Sequence, residues 1–96
     1  MLTPKQKAFL KTEAQKTNNV HQLGKNEISP EFLDLLTKSL VAHELIKIHV
    51  LKAAETPLKE LALDIAGSLK ADIIQVIGRN IVLFKPNLKE RKIKLP

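Results

Sequence analysis

The chain has 96 residues, enough for one domain of ordinary size, and 16 Lys+Arg stand against 10 Asp+Glu for a formal net charge of +6. An apolar content of 44% argues against intrinsic disorder. The lack of cysteine excludes disulfides, cysteine-based zinc sites, iron–sulfur clusters and thiol nucleophiles. The start of the chain lacks the apolar stretch of a signal peptide, and the longest run without Asp, Glu, Lys or Arg, residues 17–24, is too short to cross a membrane. We therefore expect a soluble, cytoplasmic, basic globular domain.

Three helices are predicted from one repeated signal, a hydroxyl residue at the N-cap position followed by proline at the first helical position. The pairs are Thr3-Pro4, Ser29-Pro30 and Thr56-Pro57. Thr3 and Gln6 also have the spacing of a capping box. The periodicity of apolar residues extends these helices over residues 4–16, 30–43 and 57 to 69 or 70. Gly67 lies inside the third helix, where it costs about 1 kcal/mol relative to Ala, so we expect a close packing contact there.

Four strands are predicted between and after the helices, over residues 19–23, 45–51, 73–77 and 81–84. The second strand alternates, with Ile46, Ile48 and Val50 on one face and Lys47 and His49 on the other. The third is nearly all apolar, as a central strand would be, and a turn at residues 78–80 joins it to the fourth as a hairpin.

The resulting order, α-β-α-β-α-β-β, predicts a single α/β domain over residues 1–96. We expect a layered α+β sandwich in which the helices pack on a mixed sheet of about four strands. Residues 86–96 are a candidate for a loose basic tail.

Charge is distributed unevenly along the chain. Residues 1–26 carry five Lys and one Glu (net +4), residues 27–64 carry seven acids and four Lys (net −3), and residues 65–96 carry seven Lys+Arg and two acids (net +5). A fold that brings the two basic ends together would present one basic face, which is typical of a polyanion-binding protein.

Motifs of enzymes and metal sites are missing from the sequence. It contains no nucleophile elbow, no phosphate-binding Walker loop and no dinucleotide-binding glycine pattern. His43-Glu44 begins like a zinc-protease helix, but position 47, where the second histidine is required, is Lys. We interpret the three histidines as hydrogen-bonding or surface residues, and we expect no catalysis, no metal, no cofactor and no small-molecule substrate.

One loop, residues 23–29, has the features of a phosphate-binding site. Gly24 follows a strand, Lys25 and Asn26 continue a tight turn, and the capped second helix follows. Backbone N–H groups in such a loop, together with the positive end of the helix, can hold a phosphate group, and Lys25 adds charge. The same residues are also ordinary turn residues, so the loop alone does not decide between the two interpretations.

The loop is one of several segments, spread over the whole chain, that together form a recognisable sequence pattern. They are Leu2-Thr3-x-Lys5-Gln6-Lys7-x-x-Leu10, the loop at residues 23–29, His43-Glu44-Leu45-Ile46-Lys47, Gln75-Val76-Ile77-Gly78, Ile81-Val82-Leu83-Phe84-Lys85-Pro86 and Glu90-Arg91-Lys92-Ile93-Lys94-Leu95-Pro96. In order and spacing they resemble the YhbY/CRM family of RNA-binding domains. The resemblance implies an α/β sandwich related to the C-terminal domain of bacterial translation initiation factor three. It also implies a role in assembly of the large ribosomal subunit, to which stand-alone bacterial members are linked; plant organellar relatives act in intron splicing.

The loop departs from the family pattern at one position. The family sequence is Gly-Lys-x-Gly, similar in role to the GxxG loop of KH domains, and here Glu27 stands in place of the second Gly. A carboxylate beside a phosphate repels it, whereas a Glu27 turned towards the positive end of the next helix is electrostatically favourable. The sequence leaves both orientations open.

The sequence therefore predicts a monomeric, non-enzymatic RNA-binding protein that contacts ribosomal RNA or a large-subunit precursor. The predicted contact residues are Gly24, Lys25 and Asn26 in the loop, Lys5, Lys7 and Lys11 in the first helix, Arg79 in the hairpin turn, and Lys85, Lys89, Arg91, Lys92 and Lys94 near the end. Tyr and Trp are absent and the three Phe fall at core positions, so we expect contacts to RNA phosphates rather than stacking on bases.

Two other functions remain open at this stage. The acidic middle of the chain could dock on a basic ribosomal protein, which would make the domain an adaptor. Binding to double-stranded DNA is less favoured, because the second helix is acidic at its start and the third has only Lys59 and Lys70 as basic residues.

Overall fold

The computed structural model describes residues 2–16, 20–24, 28–51, 57–87, 89, 93 and 95. The elements are α1 (Pro4–Lys16), β1 (Val20–Leu23), α2 (Pro30–His43), β2 (Leu45–Val50), α3 (Leu58–Leu69), β3 (Asp72–Ile77) and β4 (Asn80–Phe84). This is the predicted α-β-α-β-α-β-β order, and the strands form one mixed sheet of four. No helix in the described parts of the chain is both long and apolar enough to cross a membrane.

The sheet has the strand order β1-β2-β4-β3, with β1 parallel to β2 and the other two pairs antiparallel. The last strand therefore inserts between β2 and β3, and the prediction that β3 is central is wrong. Residues 81–84 of β4 are all buried, whereas β3 is an edge strand whose Ile77 is 59% exposed. The apolar run of β3 includes a register shift between Ile73 and Gln75. Ile73 and Ile74 point to opposite faces, as neighbouring strand residues do. The shift places Val76, three residues after Ile73, on the same face as Ile73.

Each face of the sheet has its own hydrophobic cluster. On one face, α2 and α3 cover β2, whose Ile46, Ile48 and Val50 are fully buried as the alternation predicts. On the opposite face, Leu10 and Ala14 of α1 pack with a cluster completed by Leu45, Ile74, Val82 and Phe84. Lysines carried by α1 and by α3 therefore lie on opposite sides of the molecule.

The helix starts follow the predicted capping in two cases out of three. The Thr3 N–H donates to Gln6 Oε1 (3.0 Å) and the Gln6 N–H to Thr3 Oγ1 (3.1 Å), which completes the capping box. The Phe32 N–H donates to Ser29 Oγ at 3.1 Å. At α3, Pro57 itself occupies the N-cap position and makes no side-chain cap, so the prediction of proline at the first helical position is off by one residue. Thr56 lies outside the described residues.

The end of α3 is a Schellman motif rather than a packing contact at glycine. The Ala71 N–H donates to the Ala66 carbonyl (2.9 Å) and the Lys70 N–H to the Gly67 carbonyl (3.4 Å), with Lys70 in the left-handed conformation at φ 55°. Gly67 is exposed, and a β-carbon added to it would have no neighbour within 4 Å. The expectation of a close contact at Gly67 is therefore wrong.

A buried carboxylate fixes the junction between α2 and β2. Glu44 is fully buried and lies in the left-handed region at φ 65°. Its Oε2 accepts from the Asn87 N–H (2.6 Å), its Oε1 from the Ile93 N–H (2.7 Å), and its carbonyl from the Lys85 N–H (2.9 Å). Glu44 thereby connects the end of the second helix to residues that follow the last strand.

Candidate nucleic-acid interface

The predicted Gly24 loop leaves the sheet where the two parallel strands end. Gly24 follows β1 and Leu51 follows β2, and the Leu51 N–H donates to the Leu23 carbonyl at 2.8 Å. A β-carbon on Gly24 would lie 3.6 Å from Leu51 Cδ1. This edge, called here the loop end, is formed by Gly24, Leu51 and the β3–β4 turn. The connections that leave it lead into the N-termini of α2 and α3, whose dipoles favour negative charge.

Arg79 belongs to the same loop end. Gly78, at φ 58°, and Arg79 form the hairpin turn. The Arg79 guanidinium donates from Nε to the Val50 carbonyl (2.8 Å) and from Nη2 to the Leu51 carbonyl (2.9 Å). The structure therefore brings Gly24 and Arg79 together, and Arg79 stabilises the end of β2 while it adds positive charge. Lys25, Asn26 and Glu27 lie outside the described residues.

Lys85 and Lys89 lie at the other end of the sheet. The five residues of β4 lead away from the hairpin turn, and at about 3.4 Å per residue they place Lys85 about 17 Å from it. Lys85 Nζ donates to the Leu69 carbonyl at 3.0 Å, and the Lys89 N–H to Asn87 Oδ1 at 3.1 Å. These two lysines are thus separate from Gly24 and Arg79. The other three predicted cations of the last segment lie outside the described residues: Arg91, Lys92 and Lys94.

The lysines of α1 form a third group. Lys5, Lys7 and Lys11 are exposed, and none of them makes an ion pair within the described part of the chain. At 100° per residue, Lys7 and Lys11 lie one turn apart on the same flank, whereas Lys5 is 240° from Lys11 around the helix axis. By contrast, Lys38 of α2 is paired with Asp34 at 3.1 Å.

The two ends of the chain meet on the α1 side of the sheet. Leu2 and Phe9 pack against the same buried cluster as Ile93 and Leu95. The net +4 of the first 26 residues and the net +5 of the last 32 belong to segments that touch through these side chains. The two basic segments therefore meet on this side of the sheet, although Arg79 and Lys85 lie at its two ends.

Two further lysines on this side were not among the predicted contact residues. Lys16 is exposed at the last turn of α1, and Lys47 of β2 is half-buried on the sheet face that α1 covers. The alternation of β2 places Lys47 opposite its apolar neighbours and was the signal that could have identified it.

Two of the three histidines, His21 and His49, take part in hydrogen bonds, and His43 is exposed. His21 Nε2 and Ser39 Oγ share one at 3.0 Å, and His49 Nδ1 lies 3.1 Å from Asn80 Oδ1. Burial lowers the pKa of the His21 imidazole below its ordinary value of 6.5, and the nearby His43 lowers it further. His21 and His43 are thus neighbours, although the sequence places them far apart. Within the described residues no three His, Cys, Asp or Glu side chains group as metal ligands.

The aromatic side chains do not form a stacking platform. Phe84 is buried in the α1-side cluster, and Phe9 packs against it half-buried. Phe32 packs half-buried against the cluster under α2 and α3. A basic α/β domain with inward-facing aromatic rings, and with lysines that are exposed and unpaired among the described residues, is typical of the class of proteins that bind polyanions through their charge.

Comparison with known proteins identifies the family. Residues 2–85 match the model of the CRS1/YhbY (CRM) domain. The "Probable RNA-binding protein YqeI" of Bacillus subtilis is 33% identical over 96 residues, which are 100% of both chains. An "RNA-binding protein" of Haemophilus influenzae is 40% identical over 96 residues, which cover 99% of this chain and 95% of that one. The solution structure of SAV1595 from Staphylococcus aureus, named "a putative RNA binding protein", has a TM-score of 0.81 and 34% identity over 100% of both chains. This chain belongs to the CRM domain family, a non-enzymatic family of RNA-binding proteins.

Proposed function

We propose that this protein binds ribosomal RNA or precursors of the large ribosomal subunit during ribosome assembly in the cytoplasm, and that it acts as a monomer. The observation that carries the proposal is the exposed lysines of α1, which make no ion pair among the described residues, on a helix whose apolar side shares a cluster with Ile93 and Leu95 of the basic last segment. Lysines of this kind neutralise phosphates and release counterions, which is the main source of affinity for nucleic acid.

Phosphate contacts account for the composition better than base stacking does. The chain has no Tyr and no Trp, and its three Phe pack inwards, whereas single-stranded RNA is usually bound by stacking on exposed rings. We therefore expect structured RNA, recognised by its backbone and shape, with strong salt dependence and weak preference for sequence.

The Gly24 loop supplies the second proposed contact. It begins at Gly24 next to Leu51, whose carbonyl accepts from the Arg79 guanidinium, and it precedes α2 in the chain. The guanidinium and the dipole at the start of α2 both favour a phosphate. Lys25 and Asn26 would complete this contact. Ribosomal RNA is the proposed target because of the resemblance to stand-alone bacterial CRM proteins, which are linked to assembly of the large subunit.

Binding titrations at several salt concentrations test the phosphate contacts. We compare wild type with the double variant Lys7→Ala/Lys11→Ala on ribosomal RNA, transfer RNA and duplex DNA. Each lost phosphate contact reduces the log–log salt slope by about 1, so the double variant should lose about 2. The matched control, Lys59→Ala/Lys70→Ala, removes the same charge from the opposite side of the sheet and should keep the wild-type slope. Negligible affinity for every nucleic acid at low salt would refute the proposal.

Sedimentation of cell extract tests the ribosomal target. Comigration of the protein with large-subunit precursors, lost in the Lys7→Ala/Lys11→Ala variant, is the expected result. Comigration that survives this variant would favour the adaptor function, in which protein contacts hold the domain on the particle.

A further inference from the structure

An apolar groove lies at the sheet end opposite the Gly24 loop, on the side of α2 and α3. Its volume is about 300 Å³ and its floor consists of Leu40, Val41, Leu69 and Pro86. Val41 is 58% exposed at its mouth. Since α1 packs on the other face of the sheet, the groove is distinct from the proposed RNA contacts of α1.

The wall of the groove is held in place by hydrogen bonds. Glu44 accepts from the backbone N–H groups of Lys85 (2.9 Å) and Asn87 (2.6 Å), and Asn87 Nδ2 donates to the Val41 carbonyl at 2.9 Å. These bonds fix the segment after β4 against the last turn of α2. A groove already formed in the free protein loses little conformational entropy when it is occupied.

The charge at the groove is positive. Among the described residues that line it, Lys85 and Lys89 are basic and none is acidic. Lys85 Nζ is anchored to the Leu69 carbonyl at 3.0 Å, which keeps its charge beside the apolar floor. Lys89 is exposed. An occupant with carboxylates around an apolar centre would match this pattern.

The polar side chains that line the groove are already engaged with the backbone. Thr37 Oγ1 donates to the Leu33 carbonyl at 2.9 Å, and the Asn87 amide donates to the Val41 carbonyl. The floor therefore offers contact area rather than hydrogen bonds. A nucleobase would bury polar edges without partners, which is unfavourable, whereas an aliphatic side chain has none to bury.

We propose that this groove docks a partner protein by one aliphatic side chain, of leucine or isoleucine size, flanked by acidic residues. The aliphatic side chain occupies the floor formed by Leu40, Val41 and Leu69, and its flanking carboxylates pair with Lys85 and Lys89. The domain thereby holds an acidic protein segment on one side while α1 faces RNA on the other.

Methyl-detected NMR with the peptide Ac-Glu-Asp-Leu-Asp-Glu-amide tests the docking. Saturable shifts of the Val41 and Leu69 methyl groups are expected. Lys89→Glu should raise Kd about fivefold, because it reverses one exposed ion pair. Val41→Glu should abolish the shifts of the Leu69 methyl groups. Leu35→Glu, an equally simple change at a 49% exposed residue of the same helix that does not line the groove, should leave Kd unchanged.

Four outcomes would overturn the proposal. One is the absence of saturable shifts up to about 5 mM peptide, because a Kd above that concentration is too weak for specific docking. Another is equal binding of the lysine-flanked peptide Ac-Lys-Lys-Leu-Lys-Lys-amide. A single-stranded oligouridine that shifts the same methyl groups when the acidic peptide does not would make the groove an RNA site. Shifts that depend on protein concentration alone would assign it to a second copy of the chain.

Discussion

Replacement of Glu44 tests the role of the buried carboxylate most sharply. Glu44→Gln keeps the size of the side chain but leaves one carbonyl oxygen for two N–H donors, those of Asn87 and Ile93. One charge-assisted hydrogen bond, worth about 1.5–3 kcal/mol, is lost, and the other becomes a weaker neutral bond. With one buried N–H left unpaired, we expect a loss of about 3 kcal/mol in the free energy of unfolding. For a domain of this size that corresponds to a fall in Tm of about 12–24 °C.

Two substitutions of Glu44 by smaller residues separate the contribution of its side chain to stability from that of its backbone conformation. Ala and Gly both remove the two side-chain hydrogen bonds, but only Gly adopts the observed φ of 65° without steric cost. Glu44→Gly should therefore be more stable than Glu44→Ala by about 1 kcal/mol, the reverse of the usual order within helices.

Urea unfolding followed by far-ultraviolet circular dichroism measures these changes, because the chain has neither Tyr nor Trp for fluorescence. Asp64→Asn, at an exposed position of α3, is the matched control and should stay within about 0.5 kcal/mol of wild type. A Glu44→Gln variant as stable as this control would refute the role assigned to the carboxylate. So would a Glu44→Ala variant more stable than Glu44→Gly.

Three further predictions concern stability. Gly67→Ala should raise the free energy of unfolding by about 1 kcal/mol, since its added β-carbon has no neighbour within 4 Å; a loss of stability in urea unfolding would show a hidden contact. Lys70→Gly should stabilise the protein by about 0.5–1 kcal/mol, because Lys70 is in the left-handed conformation at the end of α3. Lys59→Gly, inside the same helix, should destabilise it by about 1 kcal/mol. Equal effects of the two substitutions would contradict the left-handed conformation of Lys70. His21 has a pKa below its unfolded value of 6.5, so the folded state binds fewer protons and stability should fall as the pH drops through 6.5 and below. Unfolding measured between about pH 5 and pH 8 should show a flatter profile for His21→Gln; an unchanged profile would contradict this.

The helices could be predicted from the sequence because their signals are local. A hydroxyl and a proline define a helix start within four residues, and the bonds of Thr3 and Ser29 confirm this. The same signal misplaced Pro57 by one residue, since a proline also fits the N-cap position. Boundaries depend on this level of backbone detail, which composition and spacing do not contain.

Strand position depended on tertiary pairing and could not be predicted. An apolar run such as that of β3 fits a central strand, but β3 pairs only with β4 and lies at the edge of the sheet. Its alternate residues Ile73 and Ile74 are covered on the two faces by different clusters. The shorter β4 takes the central place because it folds back from the hairpin and pairs with β2. The prediction of a close packing contact at Gly67 was wrong for a related reason. No local sequence pattern indicates whether a neighbouring element packs closely against a helix.

The candidate contact residues were chosen by residue type and stay a prediction, whereas their grouping in space could not be read from the sequence. The basic ends do meet, through Leu2, Phe9, Ile93 and Leu95, but Lys85 and Lys89 fall beside the groove at the far end of the sheet. The burial and hydrogen bonds of Glu44 had no sequence signal, because its partners follow 43 and 49 residues later. Long-range contacts of this kind exist only once the sheet is formed.

Crosslinking of the protein to RNA in cell extract tests the central claim most directly, because it identifies the target and the contacting residues together. We expect large-subunit ribosomal RNA as the crosslinked species, joined to peptides from α1 and from the loop that contains Gly24. Crosslinks confined to peptides of α2 and α3, or recovery of no ribosomal RNA above background, would contradict it.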